Sequence, residues 1–261
     1  MEYLQKLHNE LLYIMNFIDN VCKEYNITYY LTAGTLLGAV RHKGFIPWDD
    51  DLDIVMPRED YEKFIKIMQK NNYDEFSIST MENNLYPNYF SKVSKNGTVF
   101  MEDKESNWGI FVDIFPLDDA KEKNNLLKIQ KFFFEFSIFS RRRIVSNNKT
   151  NIFLYYIAKI LPINAWNKII NKIVRMQDNK DYQYYVNFGS QYSVYKQTML
   201  KDWFIGDTYL TFENTKFHVP KEYDKVLKSI YGNNYMEIPP ESKRITHQPK
   251  RIVFSDGEEM S

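Results

Sequence analysis

Leu31-Thr-Ala-Gly-Thr-Leu-Leu-Gly-Ala-Val-Arg-His-Lys-Gly-Phe-Ile-Pro-Trp-Asp-Asp-Asp-Leu-Asp-Ile-Val-Met56 contains a Gly-Thr turn, a basic loop and then four carboxylates within five positions, Asp49, Asp50, Asp51 and Asp53. Carboxylates crowded beside the apolar run Leu52, Ile54, Val55, Met56 repel one another and are costly to bury. A divalent metal is the simplest neutralising partner.

Outward from this stretch, the pattern is that of an α/β chain. Leu4, Leu7, Leu11, Ile14, Met15, Ile18, Val21 and Cys22 recur at three- and four-residue steps, which predicts an amphipathic helix over 3–24 that packs on a sheet. Residues 27–32 read as a strand entering Ala33-Gly34-Thr35, with a short helix from Leu36; a strand, turn and helix N-terminus can face backbone N–H groups toward a phosphate. After a loop over 41–48, a strand over 51–56 would set Asp49, Asp51 and Asp53 on one side, with Asp50 and Leu52 on the other. Asp50 is therefore expected to face outward or to be structural.

Downstream, a helix is expected over 58–69 and strand-like pieces over 76–80, 89–93 and 98–101. Gly109-Ile-Phe-Val-Asp-Ile-Phe-Pro-Leu-Asp118 then places one acid, Asp113, in an apolar strand. A buried lone carboxylate needs a partner. It is either a metal-binding or catalytic group beside Asp51 and Asp53, or a structural acid bonded to a turn. Asp118 and Asp119 are expected to cap the next helix. Residues 208–219 predict a hairpin turning at Glu213-Asn214, and 223–231 a helix stopped by Gly232.

Composition bounds the partners. The 261 residues are 44% hydrophobic, enough for one large domain or a domain with a helical appendage. Lys plus Arg and Asp plus Glu both total 34, so nothing suggests nonspecific nucleic-acid binding. The single cysteine, Cys22, falls on the apolar face of the first helix and suits a reducing cytoplasm. No apolar run approaches the ~20 residues of a membrane span, and charges in the first ten residues argue against a secretory signal. The segment 124–176 breaks the balance: its basic residues are set against Glu135 alone and interleave with Phe132-Phe133-Phe134, Phe136, Phe139, Tyr155, Tyr156 and Trp166. Such a segment can lie on an anionic membrane, grip a phosphorylated substrate, or simply present a solvated basic face.

An Asp-x-Asp pair, a third acid on a later strand and a phosphate-facing turn fit metal-assisted phosphoryl transfer, although metal-dependent glycosyltransferases also use Asp-x-Asp. There is no Gly-x-x-x-x-Gly-Lys-Ser/Thr loop, no Gly-x-Ser-x-Gly elbow and no zinc-binding Cys/His spacing.

The stretches Leu31-Thr-Ala-Gly-Thr-Leu-Leu-Gly-Ala-Val-Arg-His and Gly44-Phe-Ile-Pro-Trp-Asp-Asp-Asp-Leu-Asp-Ile closely resemble the signature of the LicD phosphotransferases, which are similar to fukutin-type proteins. Phe111-Val-Asp-Ile-Phe-Pro-Leu-Asp118, Val219-Pro220, Tyr231-Gly232, Pro239-Pro240 and His247 extend the resemblance over most of the chain. The basic, aromatic middle matches poorly. The resemblance implies a nucleotidyltransferase-like mixed sheet flanked by helices, with a helical basic and aromatic insertion. It divides the chain into a catalytic core over 1–123, the basic aromatic segment over 124–180, and a part over 181–261 that completes the site.

The activity implied is transfer of phosphocholine, or a similar phospho-alcohol, from a CDP-choline-type donor to a sugar hydroxyl of a cell-surface glycan such as lipopolysaccharide or a teichoic-acid precursor, releasing CMP. Mg²⁺ or Mn²⁺ is the implied cofactor. Asp51 and Asp53 match the metal pair, Asp113 the third acid and candidate base, and Asp49 an additional metal-side acid; Gly34 and Thr35 match the turn. Arg41, His42 and Lys43 are candidates for donor phosphates, against a merely solvated loop, and Lys243, Arg244 and His247 form a second candidate substrate-binding group. A lipid-linked acceptor would bring a cytoplasmic enzyme to the inner membrane face through residues 124–176. Two alternatives stay open: transfer of a nucleotide monophosphate to a small molecule or sugar, and a noncatalytic glycan- or membrane-binding protein.

Overall fold

The computed structural model describes residues 2–82, 88–102, 108–141, 149–179, 181–244 and 249–260. The chain opens with α1 (Glu2–Tyr25), β1 (Tyr30–Leu31), α2 (Ala33–Arg41), β2 (Asp53–Pro57) and α3 (Arg58–Lys70). Strands β3 (Phe76–Ser79), β4 (Ser91–Lys95), β5 (Val99–Met101) and β6 (Phe111–Ala120) follow. Three helices, α4 (Asn125–Arg141), α5 (Lys149–Ala158) and α6 (Ile163–Val174), lead to β7 (Tyr184–Val186) and β8 (Thr198–Leu200). The chain ends with β9 (Thr208–Phe212), β10 (Thr215–Val219), α7 (Tyr223–Tyr231), β11 (Arg251–Val253) and β12 (Glu259–Met260).

Among the described residues a seven-stranded mixed sheet runs β1-β2-β6-β4-β3, with β7 and β8 continuing from the far end of β6. β2 and β6 are parallel, and the other neighbours in this sheet are antiparallel. This is an α/β fold, as expected. α1 packs its Leu7, Leu11, Ile14, Met15 and Ile18 into the main core, where all five are fully or almost fully buried. Each such side chain contributes about 2 kcal/mol of burial. A second core gathers Leu127, Phe134, Trp166, Ile170, Val186 and Phe188 beneath α4 and α6.

Several local expectations are corrected. α2 begins at Ala33 rather than Leu36: Thr32 is extended and its carbonyl accepts the Leu36 N–H at 2.9 Å, so Gly34 and Thr35 form the first helical turn instead of preceding it. β2 begins at Asp53, leaving Asp51 in the loop before it. Of the two readings of Asp50, outward-facing or structural, the first is overturned, because it is only 3% exposed.

Asp118 and Asp119 cap no helix, because β6 continues through both. Asp119 pairs with Lys201 at 2.7 Å. Asp118 accepts two hydrogen bonds from the Arg58 guanidinium, at 2.7 and 2.8 Å, tying the start of α3 to β6. The hairpin and α7 fall where the sequence placed them, with Gly232 at φ 92 ending the helix as only glycine easily can.

Asp118→Ala should destabilise the protein by about 3–5 kcal/mol, since it strands a buried guanidinium, whereas the double change Arg58→Met with Asp118→Leu should cost much less. Urea unfolding of the three proteins checks this. Cys22 is buried and burial pushes its thiol well above the ordinary value, so thiol reagents should label it only once the protein is unfolded.

Candidate active site

Parallel pairing of β2 with β6 sets Asp53 opposite Asp113. On the other side of Asp113, the antiparallel register with β4 sets Lys92. Three adjacent strands therefore carry a row Asp53–Asp113–Lys92 on one face of the sheet. Lys92 Nζ donates to Asp113 Oδ1 at 2.6 Å and lies 3.2 Å above the centre of the Phe111 ring. Its side chain is 6% exposed and that of Asp113 is 14%, so the pair sits well out of water.

One lysine does not balance the acids. Burial pushes the Asp53 carboxyl well above the carboxylate range, the charges of Asp51, Asp113 and Asp49 push it further, and Lys92 opposes only in part. Burial likewise raises Asp113, to about 6, against the lowering effect of Lys92 and with Asp51 adding to the rise. Like charges facing across a sheet are destabilising.

These acids meet a cavity of about 490 Å³. Its lining combines Ala33, Gly34 and Asp49, Asp50, Asp51 and Asp53 with Arg41 and Trp48, and with Tyr192, Tyr231, Tyr235 and Arg244 from the C-terminal third. Ala33 is held at φ 46, a left-handed conformation unusual for a residue with a side chain. A Cβ on Gly34 would lie 2.7 Å from Asp49 Oδ2, so glycine here serves the close approach of that carboxylate.

The loop that carries the acids is fastened at three points. His8 of α1, stacked on Phe45 at 4.1 Å, donates through Nε2 to the Asp49 carbonyl at 2.7 Å. Burial lowers the His8 pKa, in keeping with a neutral ring. At the hairpin tip, the Glu213 N–H donates to the Lys43 carbonyl at 2.7 Å, and the Glu213 side chain accepts the Phe45 N–H at 3.0 Å. Arg41 donates to the carbonyls of Tyr235 and Glu237 at 3.2 and 3.0 Å.

Of the residues singled out from sequence, Gly34, Asp49, Asp51, Asp53, Arg41 and Arg244 line the same cavity. Asp113 joins them through its register with Asp53. Thr35 does not line it: this residue is buried, and its hydroxyl accepts the Asp53 N–H at 2.8 Å. Neither do His42, which accepts from Arg41 Nε at 2.9 Å, and Lys43, whose side chain is exposed. His247 and the side chain of Lys243 lie outside the described residues.

Sequence reasoning missed Lys92, His8, Glu213 and the tyrosines. Lys92 had a signal, a lysine inside an expected strand; Glu213 was placed only as a hairpin turn and Tyr231 only in a helix and as part of the resemblance, and the others, far from the acids in sequence, carried none.

The acid row is all oxygen, which is the chemistry of a hard divalent cation, and burial together with like-charge crowding raises the Asp53 carboxyl, an effect that such a cation would relieve. On that ground Mg²⁺ or Mn²⁺ fits the residues present. Among the described residues no three His, Cys, Asp or Glu side chains are gathered closely enough to enclose a metal ion as they stand.

The α/β scaffold carries an acid-lined cavity, an arrangement that metal-assisted phosphoryl transfer can use. A family profile described as LicD/FKTN/FKRP, nucleotidyltransferase domain, matches residues 26–153, and it supports a LicD-type phosphotransferase. It is 29% identical over 247 residues to the lipopolysaccharide cholinephosphotransferase LicD of Haemophilus influenzae, covering 90% of this chain and 92% of that protein. Uncharacterised proteins of Rickettsia typhi and Rickettsia prowazekii are 32% and 33% identical over 124 and 113 residues, covering 48% and 43% of this chain and 39% and 40% of theirs.

Thr35→Val should cost about 1–3 kcal/mol by leaving the Asp53 N–H without its acceptor, and Thr35→Ser should restore most of it. Chemical denaturation of both variants reads the difference.

Proposed function

We propose that the protein transfers phosphocholine from CDP-choline to a sugar hydroxyl of a surface glycan, releasing CMP. The carrying observation is the register that stacks Asp53 against Asp113 at the edge of a cavity large enough for a small organic phosphate. The relative from H. influenzae, named a lipopolysaccharide cholinephosphotransferase, supports both the group moved and the kind of acceptor.

In this reading Asp51, Asp53 and Asp113, with Asp49 beside them, would hold Mg²⁺ or Mn²⁺. The bound ion would supply positive charge to offset that of the diphosphate and of the departing CMP. Asp113 also stands as the acceptor of the hydroxyl proton. The sugar oxygen attacks the phosphorus bearing choline, the bond from that phosphorus to the oxygen of CMP breaks, and CMP leaves with the electron pair. Lys92 steadies the Asp113 carboxylate from the adjoining strand. Arg41 and Arg244 are the cavity cations available to the donor phosphates.

The donor's quaternary ammonium suits the aromatic side of the cavity, because cations bind over electron-rich rings. The Arg244 guanidinium already lies 4.1 Å from the centre of the Trp48 ring, so that face accepts a cation. Tyr192 and Tyr235 add further rings to the lining. The cavity draws on residues 33–53 and 191–244, and none of its lining comes from the basic aromatic segment.

Purified protein given CDP-choline, Mg²⁺ and a glycan acceptor should release CMP, and chelation should stop it. Asp51→Ala and Asp113→Asn should each lower kcat by about a hundredfold or more. Pyrophosphate release from a nucleoside triphosphate, without CMP formation, would instead identify a nucleotidyltransferase. Trp48→Ala should raise KM for CDP-choline by roughly 3- to 30-fold, the range expected on losing one cation–π contact, with a smaller effect on kcat.

A further inference from the structure

Amphipathic helices on a protein surface turn their apolar stripe inward. α4 and α5 each also turn one outward. On α4, Ile129, Phe132 and Phe133, at spacings of three and four, are 53%, 57% and 40% exposed. On α5, Phe153, Tyr156 and Ile157 repeat the spacing at 64%, 65% and 37% exposure, and Ile160, in the turn that follows, reaches 76%. Ala158 is the one α5 residue with a described side chain that is buried. α5 packs on α4, so the two stripes belong to one helical layer. Exposed apolar surface on this scale marks an interaction site.

Charge indicates what covers it. Residues 124–176 contain ten Lys and Arg and a single acid, Glu135, in a chain whose charges sum to zero overall, so the excess of positive charge in this segment is balanced by an excess of acids elsewhere. Lys128 and Lys159, each next in sequence to an outward apolar residue, are exposed, as are Lys168 and Lys172 on α6. A second copy docking about a two-fold axis would set this positive layer against itself, at an electrostatic cost. An anionic lipid surface instead takes the apolar side chains into its acyl boundary and the lysines at its headgroups. Among the described residues no helix is long and apolar enough to cross a membrane, which fits helices lying along the interface.

We propose that α4, α5 and the turn after α5 form a docking surface for the face of an anionic phospholipid bilayer. This goes beyond the reaction and does not depend on the identity of the donor.

The test is co-sedimentation of the full chain with vesicles of phosphatidylcholine alone or mixed with phosphatidylglycerol. Binding to the mixed vesicles should exceed binding to phosphatidylcholine by about tenfold or more and should weaken as salt is raised. The triple change Phe132→Ser, Phe153→Ser, Ile160→Ser should lower partitioning by about tenfold or more, while its unfolding midpoint and its CMP release with a soluble acceptor stay at the parent values. Lys128→Glu with Lys159→Glu should abolish the preference for phosphatidylglycerol. No sedimentation with the mixed vesicles, or equal binding by the triple variant, overturns the proposal. So does a dimer in sedimentation equilibrium that the triple change converts to monomer without any vesicle binding by the parent.

Discussion

The structure turns on a repulsion. Parallel pairing of β2 with β6 brings two carboxylates, Asp53 and Asp113, face to face in a buried sheet, with Asp49 and Asp51 contributing from the loop before β2. Sheets do not ordinarily tolerate like charges in that position. Lys92 offsets part of it from the next strand, while burial and the neighbouring acids still push the Asp53 and Asp113 carboxyls upward. Carboxyls crowded and perturbed in this way are characteristic of functional sites.

Much of the remaining structure holds that arrangement in place. The Thr35 hydroxyl takes the Asp53 N–H, and Gly34 leaves room for the Asp49 carboxylate against the first turn of α2. Long-range contacts then fasten the loop: His8 from the first helix, Glu213 from the hairpin tip and the carbonyls of Tyr235 and Glu237. These partners come from both ends of the chain. The bidentate Arg58–Asp118 pair does the same for the strand behind the acids, anchoring β6 to the helix that follows β2.

The two cores separate two tasks. The main core supports the acid row, while the second core carries α4 and α6, which contribute nothing to the cavity lining. Their outward aromatic and basic side chains are correspondingly free of the constraints of the site.

How much of this could be read from the sequence depended on distance along the chain. Helix periodicity located α1, α3 and α7 almost to the residue, because each apolar stripe is local. The carboxylates were visible for the same reason: four acids beside an apolar run have few structural uses. The sequence misjudged Asp118 and Asp119, since an acid near a helix start looks like a cap until a distant arginine or lysine is seen to claim it. It could not show that Thr35 serves Asp53 rather than a ligand, nor that Lys92 neighbours Asp113.

By itself, then, the sequence determined the α/β pattern, the resemblance to the family signature and the presence of an acid cluster, all properties of short contiguous stretches. Only the tertiary structure decided which acids face one another, which cation answers them and which tyrosines close the cavity. Those follow from strand register and packing between segments as much as about two hundred residues apart, and local chemistry does not encode them.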